Sequence, residues 1–410
     1  MRSVWVAVCL LALTVFMAMP TSGPGLFQQA AGAPSARAQP AAAWTFLVYL
    51  DADNNLDPWA YVDIAEMEAV GSTASVNVVA LWDKLDGPAD LVQVQKGSVR
   101  VVPGFSLNGK EANMGSGDTL QAFVSFVVSR FPADHYALDL WDHGDDFRGF
   151  AWDDHPNLDG SPGDDFLTHD EIVQALSDQH FDLVAFDGCV MSNLEVSYEY
   201  AVRGLKIDYL VASEIYIPNQ GFDYAGLLAP LASQPTMGAY DFAKAIVDSY
   251  MDYYSSGGWQ VGLSVLRMSA VPDLVASVGR LADAFAGDMA AYRDYVGTAR
   301  GNAMLSWSMY GWEAFVDLPT LAASLGLTLG SDPTIAPLLE DLQSHLSATI
   351  AYVRNTHALD VKGAGGVGVF FPGSYGSFTH NLYWHGDYFE RMQFARQVWL
   401  DFLYAYWGAL

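Results

Sequence analysis

The sequence predicts an α/β fold: a mainly parallel sheet flanked by helices, with a helix-rich C-terminal half. Three observations carry this. Five short apolar runs recur within the first 213 residues: "WTFLVYL", "VNVVALW", "HYALDLWD", "FDLVAFD" and "IDYLVAS". They lack the strict apolar–polar alternation of half-exposed strands and read as strands covered on both faces. Helix start and stop signals lie between them, and strand–helix alternation is the pattern of a parallel sheet wrapped by helices.

Residues 44–50 form the first strand. Asp57 is read as the N-cap of the next helix, with Pro58 in its first turn and Gly71 closing it. Residues 76–82 give a second buried strand, and "LVQVQ" with "VRVV" a hairpin. Asp118 is read as the cap of a helix reaching about Arg130. Residues 135–142 form the third core strand, which ends at His143. After a polar loop, Thr168 and Glu171 make a capping box. Residues 181–187 form the fourth core strand, ending at Cys189. Ser192 is read as the start of another helix, and residues 207–213 form a fifth strand. Beyond about residue 225 helical patterns dominate, with further strands at 260–268 and 366–372. Three segments follow: a leader (1–38), an α/β core (39–225) and a helix-rich part (226–410). The last either continues the core domain or forms its own.

Apolar residues make up 51% of the 410, enough for a large packed core. "MRSVWVAVCLLALTVFMAM" reads as a signal peptide, with "ARA" at 36–38 as the cleavage site and "TSG" at 21–23 as second choice. The expected protein is secreted or extracytoplasmic. No transmembrane anchor remains after signal removal, because "VWLDFLYAYWGAL" falls short of the roughly 20 residues a span needs. Nineteen basic residues face 47 acidic ones, a net charge of −28. That excludes nucleic acid as a partner. It suits a solvated surface, cationic ligands or calcium.

There are two cysteines. Cys9 lies in the leader, so Cys189 has no partner within the exported chain and is either a buried inert thiol or a reactive one. Topology brings it towards His143. Each residue follows the carboxyl end of a buried strand, with one loop and one helix between. Such a unit makes the two strands parallel neighbours, whose ends share one sheet edge. An imidazole beside a thiol can take its proton, and thiolate is the nucleophile. Gly144 follows the histidine and Gly188 precedes the cysteine. Glycine permits close backbone approach, so the N–H groups of Gly144 and Cys189 are candidates for an oxyanion hole. Taken singly, a loop histidine is usually solvated and a cysteine after a strand is usually core packing.

At "YALDLWDHG" and "FDLVAFDGCVMS" the sequence resembles the clostripain family of cysteine peptidases, whose wider clan includes caspases, gingipains and legumains. "FLVYLDADNNLD", "ASEIYIPNQGFDYAGLL" and "GVGVFFP" extend the resemblance from Trp44 to the C-terminus. Gly188 stands where relatives often carry Ala. The resemblance implies a caspase-like α/β fold, His143 as general base and acid, and Cys189 as nucleophile. It also implies protein or peptide substrates cleaved after Arg or Lys, and no cofactor for the chemistry. Asp187 matches an acid that relatives keep near the pocket for the basic side chain. On the residues alone it could instead cap the helix at Ser192. Glu214 and Asp223 are further candidates for a pocket acid. Relatives are often zymogens cut between the His and Cys blocks, where Arg148 is the one Lys or Arg.

Some relatives use calcium. "DADNNLD" fails the EF-hand template at Leu56 and Val62 and reads as a turn capping the next helix. The stretch 153–165 is richer in oxygen ligands. Its Asp153, Asp154, Asp159, Asp164 and Asp165 either bind calcium or belong to a solvated loop. Two other readings stay open: a non-catalytic acidic surface or binding protein on the same fold, and a hydrolase using metal held by "WDHGDD" and "AWDD".

Overall fold

The apolar runs assemble into one central sheet. The computed structural model describes residues 41–157, 163–306, 314–360, 363–380, 386, 388 and 391–409. The first elements are β1 (Ala42–Ala52), α1 (Asp57–Val70), β2 (Val76–Lys84), β3 (Gly87–Gln95), β4 (Ser98–Val101), α2 (Gly117–Arg130) and β5 (Ala133–Trp141). Then come β6 (Phe150–Asp153), β7 (Asp165–Leu167), α3 (His169–Leu176), β8 (His180–Asp187), α4 (Leu194–Val202), β9 (Lys206–Ala212), α5 (Tyr224–Ser233) and α6 (Ala239–Tyr253). The later chain adds β10 (Gly262–Arg267), α7 (Val271–Gly287), α8 (Met289–Asn302), β11 (Leu305–Ser306), β12 (Phe315–Asp317), α9 (Leu318–Leu329), α10 (Ala336–Thr349), β13 (Ile350–Asn355) and β14 (Gly368–Phe370).

Among the described residues the sheet has nine strands in the order β13-β10-β9-β8-β5-β1-β2-β3-β4. The five central strands, β9 to β2, run parallel. Antiparallel pairs extend both edges: β3 and β4 on one side, β10 and β13 on the other. The helix-rich half thus contributes two strands to the same sheet. β1 leads to β2 on one side, and the chain then returns to place β5 on the other. The β1/β5 boundary is therefore a topological switch point, where open α/β sheets form a crevice past their strand ends.

The two faces of the sheet explain the continuous apolar runs. On β1, Phe46, Val48 and Leu50 pack with α1, α5 and α6. Leu47 and Tyr49 point the other way and pack with α2, α3 and α4. Both alternating sets are buried, so the period of two disappears from the sequence. No helix among the described residues is long and apolar enough to cross a membrane.

Three expected caps are corrected. Asp57 is the first residue of α1, not its cap; Leu56 holds that position, and the Asp57 carboxylate accepts the Leu85 N–H at 3.2 Å. Ser116, not Asp118, precedes α2. The helix after Cys189 begins at Leu194 with Asn193 as cap, its Oδ1 accepting the Val196 N–H at 2.9 Å. Ser192 stays outside and donates its hydroxyl to Gly366 O at 2.6 Å. The capping box at Thr168 and Glu171 is present as expected.

Candidate active site

β5 and β8 are parallel neighbours, with Trp141 opposite Asp187. His143 and Cys189 therefore leave the sheet at matching positions, two residues beyond that pair. The Asp142 N–H donates to Asp187 O at 3.3 Å, which carries the pairing one step past the strands. Both residues line one cavity, with Asp187, Gly188, Leu56 and Ile217 among its walls.

The loops that present them are strained. Three non-glycine residues among those described have positive φ: Asp146 (50°), Ala151 (59°) and Val190 (55°). Asp146 and Val190 lie in these two loops, and Ala151 in β6, which follows the first. A β-branched residue such as Val190 rarely adopts this conformation, and strain of this kind persists only where surroundings impose it. Here they do. The Val190 N–H donates to Ile215 O (2.9 Å), that of Ser192 to Ser213 O (2.8 Å), and Gly368 donates back to Ser192 O (2.9 Å). The chain after Cys189 is clamped between the end of β9 and β14.

The two flanking glycines let the loops interlock. A Cβ on Gly144 would lie 2.3 Å from Cys189 O, and one on Gly188 would lie 2.5 Å from Asp142 O. Neither contact is possible for a larger residue without backbone movement. Among the described residues, neither the Gly144 nor the Cys189 N–H donates to another protein group, so both remain available to a ligand oxygen.

His143 Nε2 lies 3.0 Å from Asn55 Oδ1. An imidazole that donates Nε2–H to this oxygen keeps Nδ1 free to act as a base. Burial lowers the His143 pKa, with Asp154 opposing, so the ring rests neutral. Asn55 sits on the turn after β1, in "DADNNLD". Its neighbour Asn54 is buried and ties the turn down. Asn54 Nδ2 donates to Asp142 Oδ1 and Trp152 O, both at 2.8 Å, and its Oδ1 accepts the Leu56 N–H at 2.8 Å. Asn55 was not singled out from sequence; it stands 88 residues from His143 in the chain.

The Cys189 sulfur accepts the Ile217 N–H at 3.4 Å and faces Ile217 O at 3.7 Å. Burial pushes the thiol up to about 11; the Ile217 N–H opposes it, and the charges of Asp187, Asp142 and Asp145 add smaller increases. A thiol held above its ordinary 9.0 carries less thiolate at neutral pH, and thiolate is what alkylates. Iodoacetamide should therefore label Cys189 at least about tenfold more slowly than a free thiol at pH 7.5, with the rate still rising beyond pH 9. A plateau below pH 9 would contradict this.

Asp187 points under the cavity. Its Oδ2 accepts the Phe222 N–H (2.8 Å) and lies 3.1 Å from the Tyr224 hydroxyl, while its Oδ1 is buried and has no hydrogen-bond partner among the described residues. Burial raises it to about 7. It does not cap the following helix; Asn193 does.

The other candidates carry partners of their own. Glu214 accepts the Gly366 N–H at 2.9 Å, and burial and the charge of Asp317 raise its pKa well above the usual range. Asp223 caps α5 through the Gly226 N–H at 2.9 Å and accepts the Ser249 hydroxyl at 2.9 Å. An Asp just before an apolar run is a helix-start signal, which could have identified that role. Arg148 is largely buried, paired with Asp145 at 2.5 Å and lying over the Phe166 ring.

The proposed calcium ligands are not gathered. Asp153 accepts the Met114 and His155 N–H groups at 2.7 and 2.8 Å. Asp165 accepts from Asn113 and from the Phe166 N–H at 2.9 and 3.0 Å. Asp154 and Asp164 are exposed, and Asp159 lies outside the described residues. Asp142, in "WDHGDD", is taken up by Asn54 and the Trp152 N–H. Among the described residues no group of three His, Cys, Asp or Glu side chains could hold a metal ion.

The family model for the clostripain family matches residues 48–317. The chain belongs to the clostripain family. Clostripain of Hathewaya histolytica is 32% identical over 213 residues, a stretch covering 44% of this chain and 40% of that protein. The match thus spans about two fifths of the curated relative. Among solved structures, a secreted C11 cysteine protease of Bacteroides thetaiotaomicron in complex with an irreversible peptide inhibitor has a TM-score of 0.66 at 20% identity, over 87% of this chain and 98% of that one. An inactive zymogen C11 protease of Parabacteroides distasonis gives 0.64 at 20% identity, over 88% and 99%. These two share the fold: a large, mostly parallel sheet flanked by helices.

Proposed function

We propose that this clostripain-family chain is an exported cysteine endopeptidase that hydrolyses peptide bonds after Arg or Lys. The observation that carries this is the convergence of Cys189, His143 and Asp187 on one cavity at the paired ends of β5 and β8. Cys189 Sγ attacks the scissile carbonyl carbon while His143 takes the thiol proton. Both groups rest neutral, so proton transfer accompanies attack. The oxyanion accepts the N–H groups of Gly144 and Cys189. The imidazolium then gives its proton to the leaving amine, and water, deprotonated by His143, hydrolyses the thioester. Every step uses groups of the chain and water. Asn55 fixes the imidazole, and Asp187 meets the substrate's basic side chain. If the chain cuts itself between the two loops, Arg148 supplies the basic residue, and its pairing with Asp145 must open first.

Fluorogenic peptides ending in Arg, Lys, Asp or Ala test the reading. Arg or Lys peptides should be hydrolysed at least ~100-fold faster than the others, the scale of pairing a buried charge. Equal rates would remove the specificity. Binding of the basic peptides without turnover would favour a non-catalytic protein.

A further inference from the structure

Behind Asp187 lies a second carboxylate that the reaction does not use. Asp139 sits in the middle of β5, fully buried, and its Oδ1 has no hydrogen-bond partner among the described residues. Tyr224, also fully buried, donates its hydroxyl to Asp139 Oδ2 at 2.5 Å. The same hydroxyl oxygen lies 3.1 Å from Asp187 Oδ2.

A phenol has one hydrogen. With both carboxylates ionised, it could serve only one of them, and the other would press lone pairs against the phenol oxygen. Two buried negative charges would also face each other across one atom. One further proton on the pair removes both problems, by letting the second carboxyl donate. The surroundings supply no alternative. From α1, Asp63 and Glu66 face the pair; from α6, Tyr250 and Tyr254 do so; Cys189 lies beyond the strand end. None of these groups is a cation. Asp63 is itself raised, to about 10, by burial and by Asp187.

We propose that Asp139, Tyr224 and Asp187 share one exchangeable proton, and that a substrate's basic side chain displaces it on entering the pocket. The exchange balances: one cation enters, one proton leaves to solvent, and the net charge of the pocket is unchanged. Asp139 is then a positioning residue that sets the pH at which the pocket accepts a basic side chain. This rests on the reading of Asp187 as the carboxylate that meets that side chain. Burial and the charge of Asp187 hold Asp139 well above the usual carboxylate range, while burial holds Asp187 at about 7, so the proton released in the neutral range is the one on the Asp187 side of the pair.

The test is calorimetric. Acetyl-arginine amide and acetyl-lysine amide are titrated into the Cys189→Ala protein at pH 6, 7 and 8, in buffers of low and high ionisation enthalpy. Binding should release about half a proton or more at pH 7, and affinity should fall towards tenfold per pH unit on acidification. In the Asp139→Asn, Cys189→Ala double variant, Tyr224 is free to donate to Asp187. The release at pH 7 should then shrink and the affinity midpoint move down by about one unit or more. A merely structural role for Asp139 would leave that midpoint in place, which would overturn the proposal. Should Asp139→Asn not fold, the two-buffer comparison on the parent still decides: no proton release, with affinity flat from pH 6 to 8, overturns the exchange and leaves the Asp187 reading standing. Absence of binding by either amide at every pH removes that reading and the exchange together.

Discussion

Replacing Cys189 by alanine is expected to lower kcat/KM on a basic peptide by at least ~10⁴-fold, the scale seen when a covalent nucleophile is removed. What survives is the work of the oxyanion donors and of substrate binding. The fold should tolerate the change. The thiol's hydrogen-bonding contacts are the two long ones to Ile217, whereas the clamp on the following residues runs through the backbone of Val190, Ser192, Ser213, Ile215 and Gly368. Circular dichroism and thermal midpoint should therefore match wild type within the range of an ordinary point change. Cys189→Ser should be nearly as inactive, because a neutral imidazole deprotonates a hydroxyl far less readily than a thiol. Hydrolysis by the alanine variant within tenfold of wild type would place the chemistry in another part of the molecule.

The convergence of two strand ends was legible because it depends on the coarsest signal in a sequence. Long apolar runs separated by helix signals have few ways to assemble, and the right-handed crossover makes β5 and β8 neighbours. The glycines beside His143 and Cys189 were legible as points of close approach. Their contact with each other's loops was not, since it depends on which atoms face. Asn55 was hidden for a related reason: it is an exposed polar residue in a turn, and only its partner across the switch point gives it a role. The partners of Glu214 and Asp223 were not legible, because proximity in sequence to a strand end says nothing about side-chain direction. Glu214 turns to Gly366 and Asp317 in the distant C-terminal half. Asp139 did leave a trace, as an acid inside the buried run "YALDLW". A lone carboxylate in a strand covered on both faces costs free energy unless protonated or paired. That anomaly, weighed by itself, marks the strand as more than scaffold.

Asp187→Asn should redirect the pocket. Loss of its charge leaves an incoming guanidinium or ammonium buried without a partner, a cost of about 3–5 kcal/mol. The expected loss in kcat/KM on Arg and Lys peptides is ~10²-fold to a few thousandfold, from tenfold per 1.4 kcal/mol. Ala peptides, which never used the charge, should change by less than about threefold, since a surviving fold leaves their contacts intact. The asparagine is nearly isosteric, and its amide oxygen still accepts the Phe222 N–H that now binds Oδ2 at 2.8 Å, so the loop carrying Ile217 keeps its anchor. The effect should also depend on pH in a stated direction. A carboxyl raised to about 7 is neutral below that value and charged above it. Wild type should therefore discriminate for basic peptides more strongly at pH 8 than at pH 6, while the variant's Arg-to-Ala ratio stays flat. The ratio cancels contributions common to both peptides, including titration of Cys189 and His143, so its slope reports the pocket. A variant that loses Arg and Ala hydrolysis equally would show that Asp187 supports the loop and not the specificity.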